Sequence, residues 1–142
     1  PVLLHDTMLH PELPHLGFVG MYRGPFFCTM ELQARYVVGV ISGHISAPGA
    51  DVMYAGIESE REIRELKPRP QFPHGEYVQM VDHLAELLGV FPGDKVLSSD
   101  PVVPSQFRLC GDGSNEEVAR DVIKRIRQYM QPLNIVSFMV KR

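Results

Sequence analysis

Three groups of residues have types and spacing that could do chemistry. His5, His10 and His15 recur every fifth residue, which invites a metal reading. Pro11 and Pro14 break any helix that would align the three rings, and no cysteine or acidic ligand completes a known zinc pattern. They read as surface or loop histidines. The second group is Gly20-Met21-Tyr22-Arg23-Gly24-Pro25-Phe26-Phe27-Cys28, a glycine-bearing loop that leads into an amphipathic stretch. Free amides and the helix dipole at such a junction suit an anion or a cofactor. The third is Gly111-Asp112-Gly113, the one G-x-G in the chain. No apolar strand precedes it and no ribose-binding acid follows it, so it is not a dinucleotide fingerprint. H-E-x-x-H, C-x-x-C, G-x-S-x-G and P-loop motifs are missing, and spacing argues for no nucleophile–base pair.

The elements that must position these residues follow from periodicity. Leu16–Val19 is apolar without alternation, which predicts a short strand buried between layers. No other strong strand accompanies it, so its sheet is expected to lie in other residues or another chain. Thr29 to Gly43 reads as a helix capped by Thr29, with Leu32, Tyr36, Val40 and Gly43 on one face. Residues 1–14 read as an irregular or extended lead-in. A second helix, or two short ones, runs from Ala50 or Asp51 to Leu66, with Val52, Gly56, Ser59, Ile63 and Leu66 on one face. Its charges Glu58, Glu60, Arg61, Glu62, Arg64 and Glu65 form a solvated face. Lys67-Pro68-Arg69-Pro70 ends it and Gln71–His74 is a loop.

A third helix spans Glu76 to Leu88, with Tyr77, Val81, Leu84 and Leu88 on one face and Gly89 beyond its end. His83 on it is a satisfied or solvated histidine rather than a catalytic one. Phe91 to Ser105 is a proline-stiffened loop, and Phe107-Arg108-Leu109 a short extended piece. The fourth helix carries the clearest signals. Ser114 caps it, Glu117 completes a capping box, and Val118, Ala119, Val122, Ile123, Ile126, Tyr129 and Met130 make a wide apolar face. Glu116–Arg120 and Asp121–Arg125 are favourable pairs four apart. Pro132 stops it, and an apolar tail covers 133–142.

A chain of 142 residues, 44% of them hydrophobic, can bury one core. A net charge of −3 argues against nucleic acid and anionic membranes as partners. Cys28 and Cys110 make no disulfide framework, so a reducing, cytoplasmic setting is the simpler expectation, with both as small buried hydrophobes. The run Leu133–Val140 is far too short to span a bilayer, which takes about 20 residues. The chain starts at Pro1 rather than Met, as a fragment or a processed chain would.

Two runs go further. Leu13-Pro14-His15-Leu16-Gly17-Phe18-Val19-Gly20 followed by Glu31-Leu32-Gln33-Ala34-Arg35-Tyr36, and later Ser105-Gln106-Phe107-Arg108-Leu109-Cys110-Gly111-Asp112-Gly113, resemble the C-terminal part of the flavin-containing monooxygenase family. Glu76-Tyr77-Val78 with Leu84-Ala85 and Leu88-Gly89 is similar to a family helix between them. The resemblance covers Leu13 to Arg127. It implies a single C-terminal region (strand–loop–helix 16–43, helices over 50–131) that is mainly α with one short buried strand. That region would belong to an α/β flavoprotein with two dinucleotide-binding domains.

The family binds FAD and NADPH and oxygenates soft nucleophiles, at amine nitrogen or sulfur. Its two G-x-G-x-x-G fingerprints lie upstream of the matching region and are missing here. The resemblance therefore implies that most of both cofactor sites lies outside this chain, in an N-terminal nucleotide-binding portion or a partner chain, and that the chain is inactive alone. It places the loop beside the flavin, with Gly20, Met21, Tyr22, Arg23, Gly24 and Phe27 as cofactor-binding residues and no catalytic residue. Glu31, Gln33 and Arg35 would satisfy loop amides or pair with the missing part. The alternative is a non-catalytic helical interaction module descended from such an enzyme, which the departure of Tyr22–Phe27 from the family's polar loop favours.

Overall fold

A computed structural model describes residues 2–21, 27–66, 77–93, 103–111 and 114–130. Its elements are α1 (Phe27–Ile41), α2 (Ala50–Glu65), α3 (Tyr77–Leu87), a 3-10 turn (Pro104–Arg108) and α4 (Glu116–Met130). The Lys67–Pro70 stop, the Gln71–His74 loop, Glu76, residues 94–102, Pro132 and the 133–142 tail lie outside the described residues.

The core forms where α1 lies against α3, and the 3-10 turn joins α1 to α4. Cys28, Leu32, Tyr36 and Val37 of α1 meet Val78, Val81, Leu84 and Ala85 of α3, with Phe107 fully buried among them. α3 ends on a Schellman turn. Gly89, at φ +65°, donates to Glu86, and Val90 donates to the Ala85 carbonyl at 2.8 Å. Val90 is buried with Ala85 beneath it, so this turn is itself a piece of core. Cys28 is buried and Cys110 half-buried, and neither is in a disulfide.

Among the described residues there is no strand, which corrects the expectation at Leu16–Val19. The segment forms no regular element and has no ladder partner. Its amides find single acceptors instead, Phe18 the Met8 carbonyl at 2.9 Å and Gly20 the Gln33 side chain. Leu16 and Val19 are exposed rather than buried between layers.

The lead-in is irregular, as expected, and it is also core. Leu4, Met8 and Leu9 are buried. His5 and Met8 close a tight turn in which Asp6 and Thr7 both have positive φ, 48° and 62°. Two successive residues in that region define a type I′ turn, and a β-branched threonine there is strained. Tertiary contacts must hold it.

Helix boundaries and faces differ from those expected. α1 begins at Phe27, so Thr29 sits inside the first turn, fully buried, and does not cap it. Gly43, at φ +76°, lies beyond the helix end instead of on its face. α2 is one continuous helix. Val52 and Leu66 are exposed, while Ile57 and Glu60 are buried, with Met53, Gly56, Ile63 and Arg64 half-buried. The inner face is rotated from the predicted one because α2 packs on the 2–9 turn, where the His5 ring occupies the space a Cβ on Gly56 would need. Glu60 therefore leaves the solvated face. Residues 107–109 are not extended, because Gln106 folds the 3-10 turn back by accepting from the Val103 amide at 3.0 Å. Asn115, not Ser114, caps α4, its Oδ1 accepting from the Val118 amide at 3.3 Å. The pairs Glu116–Arg120 and Asp121–Arg125 form as expected, at 2.6 and 2.8 Å. Of the wide apolar face of α4, Ala119 and Ile123 are buried, and Val118 and Tyr129 are exposed.

Close packing of a side chain on the backbone explains Gly17. A Cβ there would collide with the Val37 side chain of α1. Gly17→Ala is expected to cost about 1–3 kcal/mol, the usual range for overpacking. Thermal unfolding of the variant beside the parent protein checks it, and an unchanged midpoint would mean that Val37 yields freely.

Candidate functional site

The site is built from the 2–9 turn, the 16–21 segment and the first turns of α1. Gly20 adopts φ +78°, a conformation that glycine enters without strain. Its amide donates to Gln33 Oε1 at 2.9 Å. Gln33 is fully buried, and its Nε2 donates to the Thr7 hydroxyl at 2.6 Å. Thr7 in turn donates its amide to Glu60 Oε1 at 2.9 Å, and the Leu4 amide reaches Glu60 Oε2 at 3.3 Å. One chain of hydrogen bonds thus runs from α2 through the strained turn and α1 to the backbone that enters the loop. It relieves the turn by giving Thr7 two buried partners.

Charges surround the far end of this chain. Burial pushes the Glu60 carboxyl up to about 7, against the two amide hydrogen bonds and Arg64, with Asp6 adding to the rise. Burial works against the Asp6 carboxylate too. Even so, its hydrogen bond from His83 and the nearby His5 and His83 rings hold it below the usual aspartate range. His83 Nε2 stands 3.1 Å from Asp6 Oδ2, and this bond raises the imidazole above its ordinary value. His83 is thus a satisfied histidine, and His5, 3.4 Å from Asp6, is largely buried rather than a surface residue. No group of three histidine, cysteine or acidic side chains could hold a metal among the described residues.

The two family-like runs are bonded to one another. Arg108 Nε donates to Glu31 Oε1 at 2.7 Å, and the Arg35 guanidinium donates to the Phe107 carbonyl at 3.0 Å. Glu31, Gln33 and Arg35 all have partners within the chain. Gln33 satisfies a loop amide, one of the two roles expected of the run.

Of the residues expected near a cofactor, Gly20 and half-buried Met21 sit at one end of the loop. Phe27, 70% exposed, begins α1 at the other. Tyr22, Arg23 and Gly24 lie outside the described residues. The surroundings fit an electron-rich ring. The first turn of α1 carries no acidic residue, and the buried Thr29 hydroxyl in that turn has no hydrogen-bond partner. A positive helix end and a broad apolar ring suit a flavin that gains negative charge on reduction.

Sequence reasoning did not find Thr7 and Glu60. Glu60 stands in a run of charges. The signal that could have found it is the apolar set Met53, Ile57 and Ile63, whose helical spacing puts Glu60 on the same face.

The profile of the family described as flavin-binding monooxygenase-like matches residues 2–140. The chain is 29% identical to N-oxide-forming dimethylaniline monooxygenase 2 of Rattus norvegicus, over 99% of the chain and 31% of that protein. It is 27% identical to flavin-containing monooxygenase 5 of Cavia porcellus, over 94% of the chain and 28% of that protein. It is 28% identical to flavin-containing monooxygenase 3 of Canis lupus familiaris, over 87% of the chain and 25% of that protein. The chain spans under a third of the length of these relatives.

Proposed function

The chain belongs to the flavin-binding monooxygenase-like family, and on that premise we propose that it forms the C-terminal region of an FAD- and NADPH-dependent monooxygenase acting on soft nucleophiles. Its relatives carry monooxygenase names, and one is described as forming N-oxides. The remaining length of such a protein would supply the two dinucleotide-binding domains, so this region is inactive by itself. The observation that carries the reading is the Gly20 turn, held by Gln33 at the mouth of a helix N-terminus free of acidic residues.

When bound, a flavin would supply the redox chemistry by which NADPH and dioxygen oxygenate an amine nitrogen or a sulfur, the second oxygen atom leaving as water. The chain's own residues bind and orient. Gly20, Met21, Tyr22, Arg23, Gly24 and Phe27 would line the ring. Gln33 fixes the Gly20 amide, the α1 N-terminus stabilises negative charge nearby, and exposed Phe27 offers an apolar face that excludes water. Among the described residues no helix is long and apolar enough to cross a membrane.

The test is flavin retention. Protein that includes the nucleotide-binding portion is expected to carry a flavin absorbance band through gel filtration and to oxidise NADPH when given a tertiary amine or a sulfide. Gly20→Val is expected to weaken the retained band. A protein with both dinucleotide-binding domains that holds no flavin overturns the reading and favours the non-catalytic module.

A further inference from the structure

We propose that Glu60 and Gln33 are positioning residues for the Gly20 turn: Glu60 holds Thr7, Gln33 carries that hold to Gly20, and the protonation state of Glu60 sets how firmly the turn is held. The inference deepens the proposed function, since it rests on the loop after Gly20 lying against the flavin.

Geometry carries it. Thr7 has a positive φ that its side chain disfavours, so its place depends on the bonds made to it. Those bonds are its amide to Glu60 Oε1 at 2.9 Å and its hydroxyl from Gln33 Nε2 at 2.6 Å. The other end of the same Gln33 amide accepts from Gly20 at 2.9 Å. Gln33 is fully buried in α1 and bonds Thr7 and Gly20 at once, so it couples a displacement of Thr7 directly to Gly20, beside the backbone link from Phe18 to the Met8 carbonyl. An ionised Glu60 accepts two charge-assisted amide bonds. A protonated one accepts more weakly and has a proton of its own to place. The groups facing this carboxyl are Asp6 on the turn and Arg64 on α2. Asp6 is itself bonded to His83 of α3 and flanked by His5. Because Glu60 titrates at about 7, both states are populated near neutral pH.

The experiment uses the intact protein labelled with 15N at glycine and threonine. The amide resonances of Thr7 and Gly20 are followed between about pH 6 and 8. Both are expected to move with one common midpoint near that of Glu60. Glu60→Gln is expected to abolish both movements, and Gln33→Met to abolish the movement at Gly20 while leaving that at Thr7. His83→Gln is expected to leave both in place, which separates Glu60 from the histidine. A merely structural role for Glu60 would not produce a pH profile at Gly20, 40 residues away in sequence. A flat Gly20 resonance in the unmodified protein overturns the proposal, even if every variant fails to fold. So does movement at Gly20 that survives Glu60→Gln. Flavin absorbance of the same samples reads the proposed function independently. Flat Gly20 with flavin bound sinks the relay alone, and a common titration without flavin sinks the reading of the loop and leaves the relay standing.

Discussion

Phe107→Ala is expected to destabilise the protein by about 3–5 kcal/mol, the cost of emptying a fully buried aromatic site. Phe107 has no exposed surface and lies in the cluster shared by α1 and α3. Its backbone carbonyl also receives the Arg35 guanidinium, and the next residue, Arg108, pairs with Glu31. The 3-10 turn is thus fastened to α1 at three successive points of chemistry: a ring, a carbonyl and a guanidinium. The ring dominates, because the Glu31–Arg108 pair is exposed enough to contribute only about 0–1 kcal/mol. Typical domains have about 5–15 kcal/mol in total, so the variant would stand near the edge of folding. Denaturant titration of Phe107→Ala beside Phe107→Leu measures the effect. A loss below about 1 kcal/mol for the alanine would mean that the 3-10 turn is an appendage and not part of the core.

Glu60→Ala is expected to cost about 2–4 kcal/mol at pH 5, because it leaves the buried Leu4 and Thr7 amides without acceptors at about 1–3 kcal/mol each. The lower part of the combined range is appropriate because the Leu4 bond is long, 3.3 Å. The cost should shrink as pH rises. The Glu60 carboxyl is raised to about 7 in the folded state from its ordinary value of 4.5, so the folded state binds the proton more tightly than the unfolded chain. Its favourable contribution is complete below about 4.5 and is lost as pH rises to about 7. His83, also raised, acts in the same direction. Asp6, lowered, acts oppositely, its contribution disappearing as pH falls through its folded value. Stability measured from pH 5 to 8 is therefore expected to decline in the parent protein and to decline less in Glu60→Gln. Equal slopes in the two proteins would show that Glu60 is not the group responsible.

Much of this protein was legible in its order of residues. The positions of α1, α2, α3 and α4 followed from apolar periodicity, because a helix that buries one stripe must repeat it every three or four residues. The end of α3 followed from Gly89, whose positive φ few other residues adopt cheaply, and the ion pairs of α4 from spacing alone. The Glu31–Arg35 and Gln106–Leu109 runs marked the family, which the match over residues 2–140 shows. The tertiary structure alone decided what those runs do. Glu31 meets Arg108 across 77 residues of chain, and Gln33 meets Thr7 within the 2–9 turn and Gly20 beyond it.

The errors share one cause. A strand at Leu16–Val19 and a solvated Glu60 are both sound local readings. Each was overturned by a partner distant in sequence or by the want of one. A strand needs a neighbour to take its amides, and none is present among the described residues. A glutamate in a run of charges is normally wet, yet α2 rotates to cover the 2–9 turn and brings Glu60 beneath the Leu4 and Thr7 amides. Local sequence specifies which backbone states are cheap. Which polar groups lose their water depends on what the rest of the chain lays over them, and that is where the Glu60–Thr7–Gln33–Gly20 path comes from.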